Sequence, residues 1–508
     1  MRTRSSTNPE SGSVFLTIRP GSEFHQGTDG RFASDGSLFL LVGICFGLLW
    51  IVVYLRNPYD VPNGQLFWSI LVGFAGSLPL LKAIFPFRLT KLPFFQFHLF
   101  FFSIEYGFAG IAPYFTPRIP FDASYVDRCL ILFLIYVVSS CIAYYGILPK
   151  QPPRLRMHGF SRLPLPAPIH ITIAGFLLLV ISTMVPIAAR QVTTTLENAV
   201  VCIAFFHISN PHLAFTKKLL LALYLLALSV KLLLTGLLAN NMVLGVAFFC
   251  AWAWTNRKQT LGRRCVIPVI ALATSVTFIL ITNPIKTEYR RIAWHNNKGG
   301  ISGLFEIAFS LYKDQKDFIF TLPYMDNSVS LLCRRMSTIP VLAGAMVQTP
   351  KSIPFKNGST LVGIFIKIIP RAIWPGKPQE TTGNDWGREY GFLDSTDNLT
   401  SFNQPLIVEG YINRGTFGVA MMGILVGLIF GVASYFEQYA SSTLLKALYL
   451  TVMYSVLFPE SNFTSIFGGI IISLIVVYLA LKAYEPFCTK PEAIRAKRLR
   501  HPRSRIHP

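Results

Sequence analysis

The sequence predicts an all-α fold: a polytopic transmembrane helix bundle of about 12 spans, with one long outer loop late in the chain that carries short amphipathic helices. Three observations predict it. The 508 residues are 52% apolar and only 14% charged, where a soluble domain carries roughly 25% charged residues. The apolar residues come in long blocks. The Lys and Arg that bring the net charge to +22 sit mostly in short loops between those blocks and in the tail, as the positive-inside rule requires. That placement favours membrane topology over nucleic-acid binding as the meaning of the charge. An aromatic content of 14% excludes a disordered chain.

Residues 1–35 are polar and rich in Ser and Gly. They are too long for the n-region of a cleaved signal and read as a flexible cytoplasmic tail before an uncleaved first span. A helix needs about 20 apolar residues to cross the hydrocarbon core. Candidate spans lie near 37–55, 65–86, 93–113, 125–148, 169–188, 195–210, 218–238, 241–256 and 265–284, then 416–436, 444–459 and 464–485. The chain thus divides into a bundle at 36–284, a long outer loop at 285–415, a second bundle segment at 416–486 and a basic cytoplasmic tail at 487–508.

Parity supports this order. With the N-terminus inside, Arg88 and Lys91, then Lys150, Arg154, Arg156 and Arg162, then Lys217 and Lys218, and Arg257, Lys258, Arg263 and Arg264 all fall on the cytoplasmic side together with the tail. The spans must be helices, because unpaired backbone groups cannot face lipid. In the outer loop the apolar pieces near 301–311, 339–347 and 360–369 are too short to span and read as amphipathic helices on the bundle or at the interface. Eight cysteines are scattered without CxxC or Cys/His spacing, so neither a zinc site nor a disulfide framework is expected.

The outer loop concentrates cations on the side where they are least expected. Lys286, Arg290 and Arg291 follow the ninth span; Arg334, Arg335, Arg371 and Lys377 come next, and Arg414 precedes the tenth span. Arg is a permanently charged planar fork that binds phosphate through paired hydrogen bonds. Any one of them can pair with a loop acid such as Glu288, Asp385 or Asp394. As a cluster held among Pro and Trp, they point to an anionic partner. Glu409 stands at the mouth of the tenth span among apolar neighbours. A poorly solvated acid there suits general acid or base work, against the alternative of a helix-start carboxylate paired with Arg414. Asp385, Glu389, Asp394 and Asp397 read as solvated loop acids. Glu105 and Lys231 are intramembrane ions, expected to pair with one another and lock the bundle, and His98 reads as a satisfied interior histidine. No Walker loop, HExxH, GxSxG, dinucleotide fingerprint or DxD pair occurs, which suits a reaction using neither metal, cofactor nor nucleotide.

The block 369–418 resembles the O-antigen polymerase family, in its oligosaccharide repeat-unit polymerase branch. It runs Pro370-Arg371-Ala-Ile-Trp374-Pro375-Gly-Lys377-Pro378, then Gly383, Thr400-Ser401, and Glu409-Gly-Tyr411-Ile-Asn413-Arg414-Gly415 into Gly418. The family has an aromatic where Arg414 stands. The layout of many spans with one long late outer loop extends the likeness.

The resemblance implies a metal-independent glycosyltransferase of the bacterial inner membrane, similar in fold to lipid-dependent membrane glycosyltransferases. It would transfer a growing glycan from undecaprenyl pyrophosphate to the next lipid-linked repeat unit on the periplasmic side. Membrane lipid and a chain-length regulator protein would be its partners, and nucleic acid would not. On that reading Arg290 and Arg371 clamp the pyrophosphate leaving group, helped by Arg291, Arg335 and Lys377. Glu409 is the base for the acceptor hydroxyl, with His295 second. Trp374 and Tyr411 stack on sugars or, preferably, hold the loop, and Asn413 contacts substrate. Two rivals remain. A flippase or transporter of lipid-linked glycan would need ionic groups along a path and discontinuous spans. A glycan ligase of related fold is not separated from a polymerase by these residues.

Overall fold

A computed structural model describes residues 62–84, 92–108, 122–147, 163–234, 238–256, 309, 310, 313, 337–369, 374, 376–378, 381–398, 400–438, 440, 442–457 and 460–499. Among the described residues the regular structure is helical throughout. In chain order the helices are α1 (Asn63–Ile84), α2 (Phe94–Ser103), α3 (Ala123–Ile147), α4 (Pro168–Met184), α5 (Ile187–Ile208), α6 (Phe215–Leu234) and α7 (Leu238–Thr255). They continue with α8 (Ile339–Gln348), α9 (Gly363–Ile368), α10 (Thr382–Glu389), α11 (Leu406–Glu437), α12 (Thr443–Val452) and α13 (Phe463–Leu499).

Three of them, across Ser124–Gly146, Leu406–Glu437 and Phe463–Cys488, are long and apolar enough to cross a membrane. The expected spans at 65–86, 93–113, 125–148, 169–188, 195–210, 218–238, 241–256, 416–436, 444–459 and 464–485 each coincide with a helix. Those at 37–55 and 265–284 lie outside the described residues. Several coinciding helices are short. α2 ends at Ser103 and passes into a π-helical turn, Ile104–Phe108. α12 passes into the 3₁₀ turn Met453–Leu457. α4 stops at Met184 because Val185 precedes Pro186 and takes an extended ψ of 134°, the conformation a following proline imposes. α5 starts directly after Pro186.

Two packing centres organise the bundle. The first is the pair α3 and α11, joined by α1, α2 and α8. Its contact is made by small residues. A Cβ on Gly423 would fall 2.1 Å from Ser139 Oγ, and one on Gly427 would fall 2.3 Å from the Ser140 carbonyl. Glycines four apart let two backbones approach closely where lipid offers no hydrophobic drive. The second centre is α5, surrounded by α4, α7, α12 and α13. On α4, Ile169, Ile173, Phe176, Val180, Ile181 and Met184 are exposed. An apolar stripe of this size is stable against lipid rather than water.

The charges inside the bundle pair differently from the sequence expectation. Lys231 on α6 bonds Glu197 on α5 at 2.9 Å and Ser182 on α4 at 2.6 Å. The expected Glu105–Lys231 lock is therefore corrected. α5 and α6 pack together and bring Glu197 to the lysine, whereas Glu105 sits in the π turn beside α1 and α3. His98 is interior as expected, 1% exposed, with Nε2 2.8 Å from the Tyr136 hydroxyl.

A second ion pair was not anticipated. Lys446 Nζ lies 2.7 Å from Glu437 Oε1, with both side chains almost wholly buried. The same oxygen accepts the Leu92 N–H at 2.8 Å, and Lys446 sits 4.4 Å from the Trp254 ring centre. Four elements, the strand of chain entering α2 together with α7, α11 and α12, are tied at this point.

Of the short loop helices, α8 and α9 fall where 339–347 and 360–369 were expected. α9 presents an apolar face, with Val362, Phe365, Ile366 and Ile369 all exposed, as an interfacial helix should. α8 goes further than expected. Ile339, Leu342, Ala343 and Ala345 are fully buried, and the helix is wedged against α3 and α11. The piece at 301–311 lies almost wholly outside the described residues.

Candidate functional site

The site is built around a break in α11. Helical geometry fails at Arg414 (φ −157°, ψ 33°) and Gly415 (φ 59°, ψ −143°), so 406–413 and 416–437 are two helices in sequence. The second has about 22 residues and is roughly 33 Å long, enough to span by itself, and it begins where the apolar run 416–436 was expected to begin. The first folds back onto it. A Cβ on Gly418 would lie 2.1 Å from the Gly410 carbonyl, and a Cβ on Gly410 would lie 3.0 Å from the Gly418 carbonyl. Any side chain at either position would push the two helices apart.

A helix that stops leaves its last carbonyls without partners. Here the loop before α9 supplies them. Lys356 N–H donates to the Ile412 carbonyl at 2.9 Å and Asn357 N–H to the Asn413 carbonyl at 3.2 Å. Gly358 N–H donates to Asn413 Oδ1 at 2.6 Å. Three successive amides can face one helix end because Asn357 and Gly358 both take positive φ, 51° and 89°.

Glu409 lies one turn before the break and is 1% exposed. Its Oε2 accepts the Phe463 N–H at 2.7 Å, from the first residue of α13, and the Thr360 hydroxyl also bonds the carboxyl. Asn413 Nδ2 donates to Thr360 Oγ1 at 2.8 Å and to the Glu409 carbonyl at 2.7 Å. The carboxyl is thus held by neutral donors from two segments of chain, the start of α13 and the turn at Thr360. Arg414 is exposed and makes no ion pair with Glu409 among the described residues, so the alternative of a helix-start carboxylate paired with Arg414 falls away: the break turns Arg414 outward.

The remaining expected site residues divide as follows. Glu409, Tyr411 and Asn413 come together on the 406–413 helix, Tyr411 half-buried and Asn413 6% exposed. The Asn413 amide is committed to protein partners on both its ends, which makes it a positioning residue rather than a substrate contact. Lys377 Nζ donates to the carbonyls of Lys367 at 3.0 Å and Ile369 at 2.9 Å, capping the end of α9 as cations do at helix C-termini. Trp374 is 40% exposed. Arg290, Arg291, His295, Arg335 and Arg371 lie outside the described residues.

The loop acids do structural work. Asp385 accepts from the Thr381 hydroxyl at 2.6 Å and from Arg388 at 2.8 Å. The Thr381 bond, and then Arg388, hold its carboxyl below the usual carboxylate range. Asp394 accepts from Thr396 N–H, and Asp397 from Thr400 N–H, both local turn bonds. Glu389 pairs with Lys356, which anchors α10 to the capping loop.

Sequence reasoning missed Thr360, the Phe463 amide and the 356–358 capping turn. Only the turn left a signal, an Asn-Gly pair at 357–358, which marks a tight turn without saying what it would cap.

The matched family model covers residues 157–486, from the chain before α4 through most of α13. The chain belongs to the DUF8712 family. That family is described as a domain of unknown function, so membership fixes kinship and not chemistry. No curated protein and no solved structure matches the chain. The DUF8712 segment contains the whole Glu409 site: the capping turn, Thr360, the broken helix and the start of α13.

Proposed function

We propose that the protein is a membrane glycosyltransferase that polymerises lipid-linked oligosaccharide repeat units, moving the growing glycan from undecaprenyl pyrophosphate to a hydroxyl of the next unit. The bundle has about 12 spans on this reading, both termini face the cytoplasm of a bacterial inner membrane, and 285–415 faces the periplasm. The observation that carries the proposal is the Glu409 carboxyl. It sits one turn before a helix long enough to span, buried and held by the Phe463 amide and the Thr360 hydroxyl rather than by a cation. An acid neutralised by a salt bridge would make a poor base. One oriented by neutral donors keeps its capacity to take a proton from an acceptor hydroxyl.

In the reaction the acceptor hydroxyl loses its proton to Glu409 as its oxygen bonds the sugar's anomeric carbon. The bond from that carbon to the pyrophosphate breaks, and Arg290 and Arg371, with Arg291 and Arg335 beside them, take up the charge that develops on the diphosphate. Lys377 supports this indirectly by holding the turn after α9. Transport is less well supported. The break in α11 lies at the end of a full-length span and not at the midplane, where transporter helices are interrupted. The test is reconstitution: purified protein and lipid-linked repeat units, with no other enzyme, should yield a ladder of longer lipid-linked glycans. Units that stay unextended would reject the reading, and transfer to a different acceptor without lengthening would replace it by ligation.

A further inference from the structure

A cavity of about 310 Å³ opens inside the bundle, between α5, α6, α7, α12 and α13. It holds about ten waters' worth of space, at roughly 30 Å³ each, too much for a single structural water. Its position is set by α13. Ser465, Gly469 and Ser473 recur every four residues and line it, so it descends about 12 Å along that helix. It starts two residues beyond Phe463, whose amide holds Glu409. Ser465 also meets Lys367 Nζ of α9 at 3.4 Å. The chamber therefore begins within one turn of α13 from the amide that holds Glu409.

Its wall is close to neutral and mixed, with Leu228, Leu232, Leu244 and Tyr454 supplying apolar surface between the polar side chains. Gln191, Thr194 and Asn198 face it from α5, and Thr451 and Ser455 from the α12 side. The hydroxyls of Thr194, Thr451 and Ser455 donate to backbone carbonyls of Arg190, Ala447 and Ile466, which leaves their oxygen lone pairs as acceptors. The side-chain amides of Gln191 and Asn198 have no hydrogen bond among the described residues and offer donors and acceptors together. The one carboxylate, Glu197, is neutralised by Lys231 at 2.9 Å. A metal ion or a phosphate would find no unbalanced charge here. A ligand that carries hydroxyls on an apolar ring framework would find partners for both.

We infer that this chamber binds the saccharide of the lipid-linked substrate, a neutral polyhydroxyl group, with Glu197, paired to Lys231, in its wall. The identity of the glycan rests on the polymerase reading, but the binding can be read without turnover. The experiment places the Thr194→Cys protein in nanodiscs and labels it with a membrane-impermeant maleimide, subtracting the labelling of the unsubstituted protein. Labelling should be fast. It should slow when lipid-linked repeat units are added and stay unchanged with undecaprenyl pyrophosphate alone. A second variant, Asn198→Leu in the Thr194→Cys background, should raise the concentration needed for half-protection about tenfold, the loss of one hydrogen bond to substrate.

Absence of labelling would mean that the cavity is closed to water and would overturn the inference. So would equal protection by the bare carrier, or none by either lipid, or unchanged protection in the Asn198→Leu protein. Protection without chain lengthening would keep the saccharide site and remove the polymerase reading. Chain lengthening without protection would do the reverse.

Discussion

Replacing Gly415 by Ala isolates the cost of the break in α11. At φ 59° and ψ −143° the residue sits next to a region that is essentially reserved for glycine, where other residues cost about 1–3 kcal/mol. Steric crowding adds nothing, because the nearest atoms to a new Cβ are Phe355 Cζ at 3.5 Å and Cε1 at 3.7 Å, ordinary contact distances. The chain has no easy relief. Swinging φ back to a helical value would carry 406–413 away from 416–437. That motion would strip Ile412 and Asn413 of their amide caps and draw Glu409 from the Phe463 amide. The full 1–3 kcal/mol should therefore appear as a roughly 5- to 150-fold drop in the equilibrium constant between assembled and broken site. In reconstituted membranes kcat for chain lengthening should fall by up to that factor, and the melting temperature with it, while expression persists. Thr416→Ala, at an exposed position one residue on, should behave as the unsubstituted protein does. Wild-type kcat and melting temperature in Gly415→Ala would refute the argument that the break is held against its backbone preference.

Other substitutions test the packing and the loop. Gly423→Leu would drive a side chain into Ser139 and the Tyr136 carbonyl, both under 3 Å from its first carbon; it should cost about 1–3 kcal/mol or more, seen as a lower melting temperature in detergent, whereas Gly64→Ala, which meets nothing within 4 Å, should not. Lys446→Met would leave Glu437 buried without its cation and should cost about 3–5 kcal/mol, and Glu437→Gln in the same chain should recover most of that loss in a double-mutant cycle. Because the Asp385 carboxyl is held below its ordinary value, its contribution is complete above the unfolded carboxylate range and is lost as pH falls through its own lowered value. Amide exchange across 381–390 should therefore stay slow at mildly acidic pH and rise only below about 4, and Asp385→Asn should abolish that step.

Much of the fold was legible because apolar block length is a strong signal. Residues 416–436 were expected as a span, and the spanning helix starts at 416, directly after the break. The apolar stretch 360–369 folds into a short helix with its greasy face outward, as the pattern predicts. Pairing was less legible. Lys231 was matched to Glu105 because both read as isolated ions, yet its partner Glu197 lies in a polar stretch, 190–198, that hydropathy placed at the margin of a span. Glu437 and Lys446 escaped notice because they stand at the ends of spans, where charges are ordinarily solvated, and only the packing of α7, α11 and α12 shows them buried. The glycines at 423 and 427, four apart, were not singled out, because which helix they meet depends on tertiary arrangement. At the site, Glu409 was singled out from its position alone. Thr360 and the Phe463 amide could not be assigned as its supports, since hydrogen-bond partners some fifty residues apart leave no local pattern.

The most direct measurement is chain lengthening by Glu409→Gln in the reconstituted system. The amide keeps the shape of the carboxylate and an oxygen for the Phe463 N–H, so melting temperature and protection of Thr194→Cys by lipid-linked units should be unchanged. Turnover should fall on the order of 10²- to 10⁴-fold. A ladder formed at close to the wild-type rate would contradict the assignment of Glu409 as the base.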